Sequence, residues 1–318
     1  MRGVFLDLRT VDQGDLDLTS LRSVVTQWAY HDWTAPSQVI DRIQDAGIVV
    51  TNKIRLDEAA LESAHTLKLV CIAATGTNNI DLDACRSRNI TVCNVTGYAT
   101  PSVVEHVYAQ ILNLLRRLNE YRTAIEQGRW QNANDFCLMD FPIRELNGLT
   151  LGIVGYGELG RAVATTGKAF GMNVLIAERA GTYPRPGRIP LDELLAASHV
   201  VSLHCPLAEN TRNLIGEREL GLMRRDAILV NTARGGIVDE AALLEAIRGG
   251  RIAGAAVDVL SEEPPHRGNP LLQLSLPNLL VTPHIAWASI NARQRLIDEI
   301  AANISAWQDG TPRNLVYP

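Results

Sequence analysis

The stretch Leu151-Gly-Ile-Val-Gly155-Tyr-Gly157-Glu-Leu-Gly160 constrains this chain more than any other. A short run of apolar and small residues, the pattern of a strand buried on both faces, leads straight into glycines at GxGxxG spacing. A helical pattern follows at 161–170. Each glycine has a mechanical role. Gly155 makes the tight turn, Gly157 lets a pyrophosphate approach the backbone, and Gly160 lets the helix lie close to the strand. With Glu158 and Leu159 completing the loop, phosphate meets a helix N-terminus, where free N–H groups and the dipole favour an anion. The next strand, expected at 173–177, runs into Glu178, about 20 residues beyond the glycines, where an acid bonds the adenine ribose hydroxyls. A bare glycine match arises by chance, and Glu178 alone would be a solvated strand end. Strand, glycines, helix and acid in register point to a Rossmann-type dinucleotide site.

A chain of 318 residues has room for a second domain beside that one. Short apolar runs alternate with amphipathic stretches throughout, which predicts an α/β protein with parallel sheets. In the first third, strands are expected at 4–8, 48–52, 67–74 and 90–95, with helical segments at 36–46, 56–64 and 82–88; no glycine fingerprint occurs there. Thr100-Pro101 opens a long helix expected over 101–127, since proline is well placed at a first helical position. Residues 128–147 read as irregular yet carry Trp130, Phe136 and Phe141, too aromatic for a linker. They suit either an arm onto a second subunit or packing on their own domain. Further strands are expected at 150–154, 173–177, 200–205, 227–231, 254–259 and 279–282, and a last helix at 289–309. The expected fold is thus two parallel-sheet domains with a cleft between them. A flavodoxin-like substrate domain takes 1–98 plus 289–318, and a doubly wound dinucleotide-binding domain takes 99–288.

Composition narrows the partners. The net charge of −5 and the lack of any basic run speak against nucleic acid, which needs a cationic footprint. Cys71, Cys85, Cys93, Cys137 and Cys205 form no CxxC pair and no metal-ligand spacing, so no metal is expected. No stretch approaches the ~20 apolar residues of a membrane span, and the start does not read as a signal peptide. The expectation is a cytoplasmic protein that places its few cations locally.

Three late strands each end in an ionisable residue within a small-residue loop: Arg234 after 227–231, Glu263 after 254–259, and His284 after 279–282. In an open α/β sheet ligands bind outside the carboxyl ends of the strands, so these residues can converge. Reducing a 2-keto acid needs this set. A planar guanidinium grips the carboxylate and polarises the ketone. A histidine supplies a proton near working pH, and a carboxylate beside it fixes its tautomer and stabilises its charged form. Taken singly, Arg234 could be a surface cation, His284 a core histidine, and Glu263 a solvated acid like Glu262. Successive strand ends behind a cofactor fingerprint favour the joint reading.

At these residues the chain resembles the D-isomer-specific 2-hydroxyacid dehydrogenases over nearly its whole length. Ala73-Ala-Thr-Gly-Thr-Asn-Asn-Ile-Asp81, the Gly155–Gly160 loop, Asn231-Thr-Ala-Arg-Gly-Gly236, the stretch from Asp258 to Pro264, and Thr282-Pro-His284 carry the likeness. Gly97-Tyr-Ala-Thr-Pro-Ser-Val103 and His284-Ile-Ala-Trp-Ala-Ser289 are similar to the glycerate dehydrogenase/hydroxypyruvate reductase branch. The resemblance implies hydride transfer between NAD(P)H, NADH preferred, and a small 2-keto acid such as hydroxypyruvate or glyoxylate, with Arg234, Glu263 and His284 as the catalytic residues. It implies that Thr75 and Gly76 hold the substrate carboxylate through backbone N–H groups, and that Lys53 lies near the cleft mouth. Arg234, His284 and Trp287 would also meet substrate. Thr100, Thr232, Ala233, Asp258, Arg234 and His284 would line the nicotinamide half, and Cys205-Pro206 the adenine. It further implies a homodimer built on the cofactor domains. The family's formate dehydrogenases have an amide in place of the triad acid, so Glu263 speaks against that branch. A cofactor-sensing, catalytically weak binding protein on the same fold is the alternative.

Overall fold

Runs of aliphatic residues become the strands of two all-parallel sheets. In the computed structural model, which describes residues 1–179, 181 and 185–317, the chain divides into two units, 1–99 with 287–318 and 100–286.

The first unit carries β1 (Arg2–Phe5), β2 (Gln27–Tyr30), β3 (Ile48–Thr51), β4 (Leu69–Ile72) and β5 (Thr91–Cys93). Their order in the sheet is β2-β1-β3-β4-β5, the flavodoxin-like arrangement. Helices cover both faces, so β3 and β4 are buried along their whole length. Asp57 and Asp81 start the helices Glu58–Ser63 and Leu82–Ser87 by accepting the N–H groups of Ala60 and Ala84. The helix Ile290–Gln308, capped by Ser289, returns to pack on β4 and on the helix Thr19–Ser23. Arg293 on this helix grips both oxygens of Asp15 at 2.8 and 2.6 Å, and Asn303 donates to the Asn94 carbonyl at 3.0 Å. Sequence patterning anticipates neither β2 nor the helix Thr19–Ser23. Both lack a long apolar run, and the edge strand Gln-Trp-Ala-Tyr is never fully buried.

The second unit holds β6 (Thr150–Val154), β7 (Asn173–Ile176), β8 (Val200–Leu203), β9 (Ile228–Asn231), β10 (Gly254–Val257) and β11 (Leu279–Val281). The order β11-β10-β9-β8-β6-β7 places β7 and β8 on opposite sides of β6. That reversal is the switch point at which doubly wound sheets bind ligands, outside the carboxyl ends of their strands. Leu203, Leu229, Ala255 and Val257, with Leu243 and Ile247 from the helix Glu240–Arg248, build its core. Two parallel sheets flanked by helices, the second of Rossmann type, bear out the expected fold class.

The single helix expected over 101–127 is two, Thr100–Arg116 and Leu118–Glu126. Arg117 between them takes a left-handed backbone (φ 56°), and its guanidinium bonds Glu120 in the first turn of the second helix. Neither glycine nor proline marks this break. The irregular segment that follows packs in part on its own unit. Tyr121 donates to the Phe141 carbonyl at 2.8 Å and meets its ring edge-on, and Trp130 donates to the Phe136 carbonyl. The side chains of Phe136 and Met139 stand 91% and 85% exposed, so the same segment also offers an uncovered apolar surface.

Candidate active site

At the end of β6 the chain turns through Gly155 at φ +94°, a conformation that favours glycine. A Cβ there would come within 2.5 Å of the Cys205 backbone nitrogen, and one on Gly160 within 2.1 Å of the Gly155 carbonyl oxygen. Gly157, N-cap of the helix Glu158–Ala169, faces open space instead. Two glycines are therefore needed for close packing, and the third leaves room beside a helix N-terminus, the arrangement a pyrophosphate requires. The Thr232 hydroxyl at the end of β9 is buried without a partner, so this rim also offers an unused hydrogen-bonding group. These features fit a dinucleotide.

Glu178, just beyond β7, is saturated by its own chain. Its carboxylate accepts the N–H groups of Arg179 at 2.7 Å and Arg185 at 2.8 Å, and the Arg185 guanidinium pairs with it. Thr100 donates to Glu158, which joins two of the expected cofactor residues to each other. Cys205 follows His204, whose imidazole bonds Ser202 at 2.9 Å while its Nδ1 is buried and unpartnered. Burial pushes that imidazole down to about 4.

The structure brings His284 and Glu263 together. His284 Nδ1 lies 2.7 Å from one carboxylate oxygen of Glu263, and the other oxygen accepts the Leu260 N–H at 2.8 Å. Both oxygens are thus committed, and the carboxylate cannot rotate away from the ring. Ser261 and Asn269 both bond Glu240, at the start of the helix Glu240–Arg248, which ties down the loop that carries Glu263. Arg234 stands exposed after β9. Asn231 shapes its loop, bonding the Ala233 N–H and the Arg234 carbonyl at 3.1 Å each. A Cβ on Gly235 would fall 1.8 Å from the Leu260 carbonyl oxygen, so the Arg234 loop lies directly on the strand-end loop that leads to Glu263. The neighbouring Glu262 pairs with Arg267 at the surface, which lowers its pKa.

Thr75 and Gly76 follow β4 in the first unit. The Thr75 hydroxyl donates to the Val95 carbonyl at 2.8 Å, which fixes the loop. Lys53, in the same unit, gives its N–H to the buried Asp7 at 2.7 Å. Trp287 also belongs to this unit and packs edge-on against Tyr98, with ring centroids 6.2 Å apart. Among the described residues, no group of three or more His, Cys, Asp and Glu side chains could hold a metal ion. No described helix is long and apolar enough to cross a membrane.

The family model for the D-isomer specific 2-hydroxyacid dehydrogenase NAD binding domain matches residues 108–286. The chain belongs to this family. It is 42% identical to the glycerate dehydrogenase of Methylorubrum extorquens over 309 residues, covering 95% of this chain and 97% of that one. It is 34% identical to the hydroxypyruvate reductase of Blautia hydrogenotrophica, covering 99% of each. Its structure is similar to that of the TT0316 protein of Thermus thermophilus, with a TM-score of 0.88 at 33% identity over the whole of both chains. The second unit of this 2-hydroxyacid dehydrogenase is accordingly its NAD-binding domain.

One residue of the dehydrogenase does more than its sequence context suggests. Asp258, only 1% exposed, accepts the N–H groups of Ile285 and Ala286 at 3.0 and 2.9 Å and the Thr282 hydroxyl at 2.5 Å, while its carbonyl accepts the His284 N–H at 2.8 Å. The loop bearing His284 is folded around this carboxylate. An aspartate directly after a buried strand is the available signal, and in the sequence it suggests only a cofactor contact. On the helix Thr100–Arg116, His106 escapes sequence reasoning, and Ser102 enters it only within the stretch Gly97–Val103. Ser102 donates to the Ala286 carbonyl at 2.7 Å, and His106 lies 3.1 Å from the Thr282 hydroxyl.

Proposed function

We propose that this dehydrogenase reduces hydroxypyruvate to D-glycerate, or glyoxylate to glycolate, with NADH. The observation that carries the reading is the His284–Glu263 pair at 2.7 Å, with the second Glu263 oxygen anchored on Leu260. A histidine held this way has one ring nitrogen fixed and presents the other, Nε2, to a carbonyl oxygen. A nicotinamide held there would supply hydride to the carbonyl carbon. His284 gives a proton to the oxygen as negative charge develops there, and Glu263 stabilises the imidazolium beforehand. Arg234 holds the substrate carboxylate with its planar fork and polarises the ketone. Thr75 and Gly76 would offer backbone N–H donors to a carboxylate. The buried Thr232 hydroxyl would take part in holding the nicotinamide half, together with Thr100 and Ala233, and Cys205-Pro206 would take the adenine. Trp287 limits the substrate tail.

Names of relatives support the substrate choice: they include a glycerate dehydrogenase and a hydroxypyruvate reductase matched over nearly their whole length. NADH is preferred because a 2′-phosphate would meet Glu178 as a like charge. Five free cysteines suit a reducing, cytoplasmic compartment. The exposed Phe136 and Met139 suit a homodimer contact through the arm. Following NADH consumption over a panel of keto acids tests the assignment. Hydroxypyruvate and glyoxylate should turn over fastest. Phenylpyruvate reacting as well as hydroxypyruvate would remove the role of Trp287. Cofactor binding without turnover of any keto acid would replace the enzyme by a sensor.

A further inference from the structure

The backbone of His284 sits in the left-handed region at φ +55°. A bulky side chain rarely adopts that conformation, and it persists only where the surroundings over-determine it. Here the determinant is Asp258, which binds the N–H groups of residues 285 and 286 through its side chain and that of His284 through its carbonyl. The direction of the imidazole therefore depends on where the Asp258 carboxylate is held. Two side chains outside the catalytic trio hold it. The Thr282 hydroxyl donates to Asp258 at 2.5 Å, and His106 Nε2 lies 3.1 Å from that hydroxyl and 3.6 Å from the carboxylate. Gln110, one helical turn beyond His106, places its amide nitrogen 2.9 Å from the His106 ring nitrogen and 3.2 Å from the Thr282 hydroxyl. All four belong to one unit.

We propose that Thr282 and His106 are positioning residues for the acid–base histidine, acting by fixing the Asp258 carboxylate around which residues 284–286 fold. Neither needs to touch substrate or cofactor. A buried carboxylate with its donors removed turns toward whatever donors remain, and the turn it supports follows. His106 and Gln110 line an open groove beside β11, so replacements at position 106 can be accommodated without forcing the core apart.

The inference rests on the acid–base reading of His284, and the test separates the two. T282V keeps the side-chain shape and removes the hydroxyl; T282S keeps the hydroxyl. With hydroxypyruvate as substrate, T282V should lower kcat about tenfold, the worth of one buried hydrogen bond to a charged group, with KM within about twofold. The Kd of NADH, read by quenching of protein fluorescence, should also stay within about twofold, and T282S should recover most of kcat. H106L should lower kcat in the same sense, and H106Q, which keeps a donor, should lower it less. In an H284A background T282V should cost nothing further, because the two act as a unit. Full kcat in T282V, failure of T282S to rescue, or a loss of NADH affinity as large as the loss of kcat would overturn the proposal. If T282V does not fold, full kcat in H106L overturns it as well. If H284A itself stays near normal, the acid–base reading fails instead; H284A inactive beside a fully active T282V sinks only the positioning role.

Discussion

Glu263 divides its carboxylate between the Leu260 N–H and His284, so E263Q can keep the loop contact while losing the charge that favours imidazolium. Reduction needs the charged ring. E263Q should therefore shift the pH profile of kcat for keto-acid reduction toward acid, and an unmoved profile would separate Glu263 from the proton. H284A should act mainly on kcat, whereas R234A should cost about 10³-fold or more in kcat/KM, since the substrate charge is left unpaired. Glu178 presents a different contest. Arg185 already occupies the carboxylate that ribose hydroxyls would use, so cofactor binding must compete with an ion pair at the rim, where screening keeps such pairs weak. R185Q should free Glu178 for NADH and remove a cation able to meet a 2′-phosphate. Measured on one keto acid, the NADH:NADPH ratio of kcat/KM should widen by about tenfold. A ratio that narrows would show that Arg185 serves NADH.

Among the elements, the turn from β6 into the helix Glu158–Ala169 is the least forgiving. G155A adds a methyl group 2.5 Å from the Cys205 nitrogen in a backbone conformation that L-residues avoid, so the turn must open or β8 must shift. NADH binding should be lost, with a melting temperature several degrees lower in a thermal scan. Wild-type affinity in G155A would mean that the turn has slack the structure does not show. This element was fully legible in the sequence, because each glycine answers a local steric demand. The buried strands were legible for a similar reason: parallel strands covered on both faces need uninterrupted aliphatic runs. The edge strand β2 has no such need and leaves no such trace. The break at Arg117 depends on a dihedral angle that no residue type enforces there. For the candidate site, Arg234, Glu263 and His284 were legible as candidates because each follows a strand that could be recognised. Asp258 was visible as a residue while its work was not, since which N–H groups a carboxylate collects is a matter of tertiary folding. The pairing of Glu178 with Arg185 across seven residues was hidden for the same reason.

For the molecule as a whole, pH acts on stability through groups whose pKa values folding has moved. Burial holds the His204 imidazole at about 4, against 6.5 for an unperturbed ring. Between those values the unfolded chain takes up a proton that the folded chain refuses. Stability from this group is thus fully present above about pH 6.5, declines as pH falls, and levels off below about 4. His31 and His199 are lowered in the same direction, so H204Q should reduce the slope of melting temperature against pH over this window without abolishing it. A wild-type melting temperature unchanged from pH 7 to 5 would contradict a neutral, buried His204. Asp15, hydrogen-bonded by Arg293, is lowered from 3.8 to about 2, so its contribution is present above about pH 4 and is lost only on further acidification. That ion pair also joins residues 278 positions apart, as the helix Ile290–Gln308 docks on β4 and on the helix Thr19–Ser23. A ribosome releases the chain from its N-terminus onward, and domains fold as their last segment emerges. Residues 100–286 form an uninterrupted stretch, so the cofactor-binding unit can complete its core while synthesis continues. Residues 1–99 must wait, their sheet missing one covering helix, until residues 290–308 leave the exit tunnel. During that interval their exposed apolar face is what a chaperone would meet.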